Sequence, residues 1–148
     1  MISGTAQLSD DRLLEVLHTG ELPIDDFRHG DHLRLAWILL HRLTLPEALR
    51  EVRKTIRDFG AHHKVEHAYN ETVTIAWVLL ISTHTEPTFG EFLSANEERL
   101  GIGLLHSFWT PELLKSDEAK RAWVEPDKRP LPVENPESNA AGRQPSFP

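Results

Sequence analysis

Residues Val73, Ile75, Ala76, Trp77, Val78, Leu79, Leu80 and Ile81 make a segment with no polar face. A segment of that kind has to be covered on every side, so it belongs at the centre of a core. Its β-branched content would also suit a buried strand. Length and helical neighbours decide the matter: Asn70 is a good N-cap, and the pattern predicts a central helix from there to about Ser82.

The neighbours read as helices too. Leu13, Leu14 and Leu17 give an inward stripe between a Ser9 cap and a Gly20 stop. A second helix starts around Gly30 or Asp31 and ends near Leu43, with Leu33, Ala36, Trp37 and Leu40 as its apolar stripe. Pro46 fits the first turn of a third, whose apolar set is Ala48, Leu49, Val52, Ile56 and Phe59, with Gly60 as its end. Thr88-Phe89-Gly90-Glu91 has the form of a capping box opening a helix to about Leu100. Thr110-Pro111 and Ser116-Asp117-Glu118 open shorter pieces that end at Trp123-Val124. No convincing alternating strand pattern occurs. The expected fold is all-α, a single compact domain of five to six helices over residues 1–132.

From Glu125 the character changes, since six of the ten prolines fall in the last 24 residues. Pro126 to Pro132 is expected to be extended chain laid over the body, with Trp123 and Leu131 as anchors. Residues 133–148 read as a disordered Pro-rich tail.

The 148 residues carry a formal charge of −7, which argues against a phosphate-backbone partner. Arg50, Arg53, Lys54 and Arg57 form a local basic stripe, but Glu47, Glu51 and Asp58 are interleaved with it, as on a solvated face. Without cysteine there is no disulfide, thiolate ligand or cysteine nucleophile. No window is apolar for long enough to span a membrane, and no secretory pattern precedes Ser9-Asp10-Asp11-Arg12. A cytoplasmic location is expected, with a small-molecule partner rather than nucleic acid or membrane. Monomer and homodimer are both open.

Two polar groupings could carry chemistry. His29 and His32 lie three residues apart at the start of the second helix and project onto its apolar arc. Glu71 lies on the first turn of the central helix, with Thr74 on the same face and Tyr69 and Asn70 just ahead of it. His29, His32 and Glu71 together would form a 2-His-1-carboxylate set, able to hold a divalent metal with open positions. Without a metal the same groups suit general acid–base work, with Tyr69 donating a proton or orienting a substrate oxygen. The alternative is a satisfied core network, with the imidazoles bonded to Glu71, Thr72 or backbone carbonyls. Trp37 and Trp77 are core residues that would wall any cavity between those helices, and Trp109 could close its far side. Arg34 falls off the apolar arc and reads as a surface or salt-bridge residue.

Three blocks resemble a group of small, largely uncharacterised bacterial helical proteins. They are Phe27-x-His29-x-x-His32-Leu33-Arg34-x-Ala36-Trp37, Tyr69-Asn70-Glu71-Thr72-x-Thr74, and Trp123-Val124-x-Pro126-Asp127-x-x-Pro130-Leu131-Pro132. The resemblance implies an all-helical fold and a shared His/Glu site, without naming a reaction. In that group the second block usually reads Tyr-His-Glu-Thr, so Asn70 stands where a histidine is common. The substitution would alter a histidine-dependent site while leaving a good helix cap.

Two functions follow as expectations. One is a small-molecule enzyme with a helix-walled pocket, doing proton-transfer or metal-assisted lyase, isomerase or hydrolase chemistry. The other is a non-catalytic binding or accessory protein using the same cavity. A third reading, an interaction module built on Pro130-Leu131-Pro132 or Pro145-Ser146-Phe147-Pro148, rests on motifs too short to specify a partner.

Overall fold

Helix capping sets most of the architecture of the computed structural model, which describes residues 5–137. The chain divides into two compact units between Tyr69 and Asn70. Both are helical, and no strand occurs among the described residues. None of these helices is long and apolar enough to cross a membrane.

The first unit holds α1 (Asp10–Thr19), α2 (His29–Arg42) and α3 (Leu45–His62). Ser9 Oγ accepts the Arg12 N–H at the start of α1, and Gly20 ends it at φ 81°, in the left-handed region. Helix α2 begins one residue ahead of its expected start because Asp31 reaches back to the Arg28 amide at 2.9 Å. Thr5 donates to the other oxygen of this buried carboxylate. Arg34 completes the arrangement by donating to the carbonyls of Thr5 (2.9 Å) and Leu8 (2.7 Å) and to Asp10 (3.0 Å). This is the salt-bridge role its position off the apolar arc implied. Helix α3 opens with a reciprocal box between Thr44 and Glu47.

Helix α3 runs past Gly60 to His62, because the residue that turns left-handed is Lys64, at φ 59°. Both α1 and α2 pack on α3. Leu13, Leu17, Leu33, Leu35, Leu49 and Phe59 are each at most 2 % exposed. Burial of one such side chain is worth about 1.5–3 kcal/mol.

The second unit holds α4 (Glu71–Ile81), α5 (Phe89–Asn96), α6 (Pro111–Leu114) and α7 (Asp117–Arg121). Helix α4 has the expected cap: Asn70 Oδ1 accepts the Val73 N–H at 2.9 Å, and Ile75 to Ile81 are buried without a break. It packs against α7. Helix α5 stops at Asn96, short of Leu100, and a 3₁₀ turn covers Glu97–Arg99. The buried Asn96 amide donates to the Phe92 carbonyl at 2.8 Å, diverting an acceptor from the helical ladder. A second 3₁₀ segment, Ile102–Ser107, was not foreseen in the sequence.

The Pro-rich stretch is extended and tied down as expected, although its fastenings differ. Thr72 Oγ1 donates to the Ala122 carbonyl (2.9 Å) and accepts the Val124 N–H (3.1 Å). The Trp109 indole donates to the Val124 carbonyl at 3.0 Å. Asp127 takes both the N–H and the hydroxyl of Thr110, and the Lys128 amide bonds to the Phe108 carbonyl. Folded chain continues beyond Pro132, where Asn135 is buried and accepts the Glu137 amide. The rest of the expected tail, with Pro145-Ser146-Phe147-Pro148, lies outside the described residues.

Candidate functional site

The first unit carries His29, His32, Trp37 and Tyr69. His29 is half-buried on the opening turn of α2. The His32 ring stacks on Phe27 at 4.0 Å, and its Nδ1 lies 2.9 Å from the Arg28 carbonyl. Phe27 meets Phe59 edge-on at 5.0 Å, and Phe59 in turn contacts His63, whose Nε2 lies 2.9 Å from the Leu22 carbonyl. Two imidazoles therefore flank two phenyl rings, and each has a backbone carbonyl partner. Burial pushes the His32 pKa below its ordinary value and His29 pushes the same way; the Arg28 carbonyl and Asp31 oppose them. His32 is neutral at pH 7 as a result.

Trp37 is buried and packs on His41 at 4.3 Å. Tyr69 is half-buried under the Arg57 guanidinium, 5.5 Å from its ring centroid, in a cleft of about 200 Å³ shared with Ile56, Gly60, Val65 and Glu66.

The second unit carries Asn70, Glu71, Thr74, Trp77 and Trp109. Asn70 spends its oxygen on the α4 cap and its amide on the Leu114 carbonyl at 2.9 Å. Thr74 Oγ1 back-bonds to the Asn70 carbonyl. Glu71 is half-buried on the first turn of α4, where the helix dipole favours its charge. Trp77 is buried, and Trp109 is wholly buried with its N–H satisfied by Val124. Among the described residues, no group of three or more His, Asp or Glu side chains is placed to hold a metal ion.

A different set of residues surrounds a cavity of about 380 Å³ in the second unit. Leu80 and Ile81 reach it from the end of α4, Leu100 and Leu104 from the 3₁₀ region, and Phe108 and Pro132 from further along the chain. His84, Asn96, Arg99 and Arg129 supply its main polar groups. The Arg129 guanidinium lies 4.9 Å over the Phe108 ring, which orients it. His84 Nδ1 lies 3.3 Å from Glu86 Oε1, an ion-pair distance without hydrogen-bond alignment. The Asn96 amide reaches the other Glu86 oxygen at 3.3 Å, and the His84 ring stands edge-on to Phe92 at 4.9 Å. Glu86 is held below the usual carboxylate range by its own backbone N–H first, then by Asn96 and His84, so it is ionised at neutral pH.

None of these polar residues stood out in the sequence. They come from the α4–α5 connection, the end of α5, a 3₁₀ turn and the Pro-rich stretch, so no fixed spacing joins them. The one available signal was Arg129 amid prolines in an acidic chain. Comparison with protein-family models, curated proteins and solved structures finds no match for the chain.

Proposed function

We propose that this protein is a non-catalytic small-molecule binding protein whose ligand sits in the cavity bounded by Leu80, His84, Arg99, Leu104, Phe108 and Arg129. The observation that carries this reading is the cavity's composition. Six apolar side chains offer surface to a ligand body, and a few polar groups converge on the same space. Ligand sites combine apolar walls with a small number of orienting polar groups, in volumes of roughly 300–1,000 Å³. At about 380 Å³ this space suits a compact metabolite.

The test is mass spectrometry of small molecules released from the freshly purified, denatured protein, with Leu104→Trp as a cavity-filling control. A compound present in the wild type and depleted in Leu104→Trp supports the reading. Equal retention by both would overturn it. Incubating the recovered compound with fresh protein then separates binding from catalysis: unchanged ligand supports a binding protein, and turnover abolished by His29→Ala or Glu71→Gln would replace it with an enzyme.

A further inference from the structure

We infer that the ligand is a small organic anion, a carboxylate or phosphate on an apolar body, gripped by Arg99 and Arg129; this deepens the cavity reading and rests on it. The chain has 23 acidic side chains against 16 Lys and Arg, so a cation here has carboxylates in excess to choose from. Arg12, Arg34, Arg42 and Lys54 have each found one. Arg99 and Arg129, like several other exposed cations of the chain, make no ion pair or side-chain hydrogen bond among the described residues; what sets them apart is that both border one cavity. An anion entering that space would meet two positive charges.

The surroundings sharpen the choice. Glu86 bonds to Asn96 through one oxygen and lies 3.3 Å from His84 Nδ1 through the other, and it makes no ion pair with either arginine. The Arg129 guanidinium carbon lies 4.9 Å from the Phe108 ring centroid, and a guanidinium carries a planar N–H fork that matches the paired oxygens of a carboxylate or phosphate. Leu80, Leu104 and Phe108 give the remainder of the ligand an apolar seat. A ring system fits: benzene occupies engineered cavities of about 150 Å³, and this one is about 380 Å³. A cationic ligand would face two guanidiniums, and a neutral one would draw no attraction from their charge.

Four probes of matched shape test the inference on the full-length chain: 2-naphthoate, 2-naphthyl phosphate, 2-naphthalenemethanol and 2-naphthylmethylamine. Each is titrated while backbone amide shifts are followed by NMR. The expected result is movement of the amides around His84, Arg99, Leu104 and Arg129, with at least one anion bound about tenfold or more tighter than the alcohol and the amine weakest. Arg99→Ala and Arg129→Ala should each weaken that anion about tenfold, leave the alcohol unchanged and preserve the native spectrum. Arg129→Lys should recover only part of the loss, since it keeps the charge without the fork. If alcohol and anions bind equally and the arginine variants change neither, the anion inference fails while the cavity reading stands. If no probe moves these amides, both fail together.

Discussion

The imidazole of His62 occupies the space that a side chain on Gly20 would need. A Cβ built on Gly20 would stand 2.6 Å from His62 Cγ and 2.8 Å from His62 Cβ. Gly20 also sits at φ 81°, where an L side chain costs about 1–2 kcal/mol by itself. Gly20→Ala should therefore lose about 2–3 kcal/mol in urea unfolding, combining backbone strain with displacement of His62. Gly20→Ala/His62→Ala removes the 2.6 Å contact with Cγ, leaves the 2.8 Å contact with Cβ, and keeps the strain. The double mutant should be closer to His62→Ala than Gly20→Ala is to wild type; simple additivity would show that the ring moves aside without cost.

Thr72 holds the Pro-rich stretch through a hydroxyl that both donates to Ala122 and accepts from Val124. Thr72→Val keeps the shape and strands a buried donor and a carbonyl, at about 2–4 kcal/mol. The Val124 amide should then exchange with solvent much faster. Thr72→Ser keeps the hydroxyl and should lose less stability than the valine variant. Equal losses would point to methyl packing instead.

How much of this was legible in the sequence depends on the range of the interaction. Ser9, Asn70, Thr88, Thr110 and Ser116 act on amides three residues ahead, so a local reading finds these helix starts, while Thr44, which caps α3 in the same way, is passed over for Pro46. Gly60 misleads because a helix-interior glycine is tolerated; the turn falls at Lys64, whose residue type gives no warning. The division between Tyr69 and Asn70 has no Gly-, Ser- or Pro-rich linker to announce it, because the Asn70 helix cap follows directly. The cavity lies further still from local pattern. His84, Asn96, Arg99 and Arg129 are brought together by the 3₁₀ turns and the folded-back Pro-rich segment, and neither has a periodicity to read.

Arg34 fastens residues 5–10 to α2 through two carbonyls and one carboxylate. A lysine has the charge but not the planar fork that reaches three acceptors at once. Arg34→Lys should raise amide exchange in Leu8 to Arg12 while leaving α3 protected. Arg34→Ala should cost about 1.5–3 kcal/mol, typical of hydrogen bonds to a charged group. Global destabilisation with no selective change near Leu8 would contradict this fastening role.

His32 should make stability fall as pH drops, beginning near neutrality. Burial against Phe27 lowers its native pKa below the ordinary 6.5, so the unfolded chain binds a proton that the folded chain resists. Its contribution is constant above that ordinary value and is lost progressively as pH falls from about 6.5 toward the lowered native value. Glu47, Asp58, Glu86 and Asp127 are shifted down from ordinary values of 3.8–4.5, so their losses begin only in a more acidic range. Urea midpoints between pH 7.5 and 5 separate the two. The wild type should lose more stability across that interval than His32→Gln, which cannot take up a proton. Parallel curves would mean that the imidazole protonates as readily in the native chain as in the unfolded one.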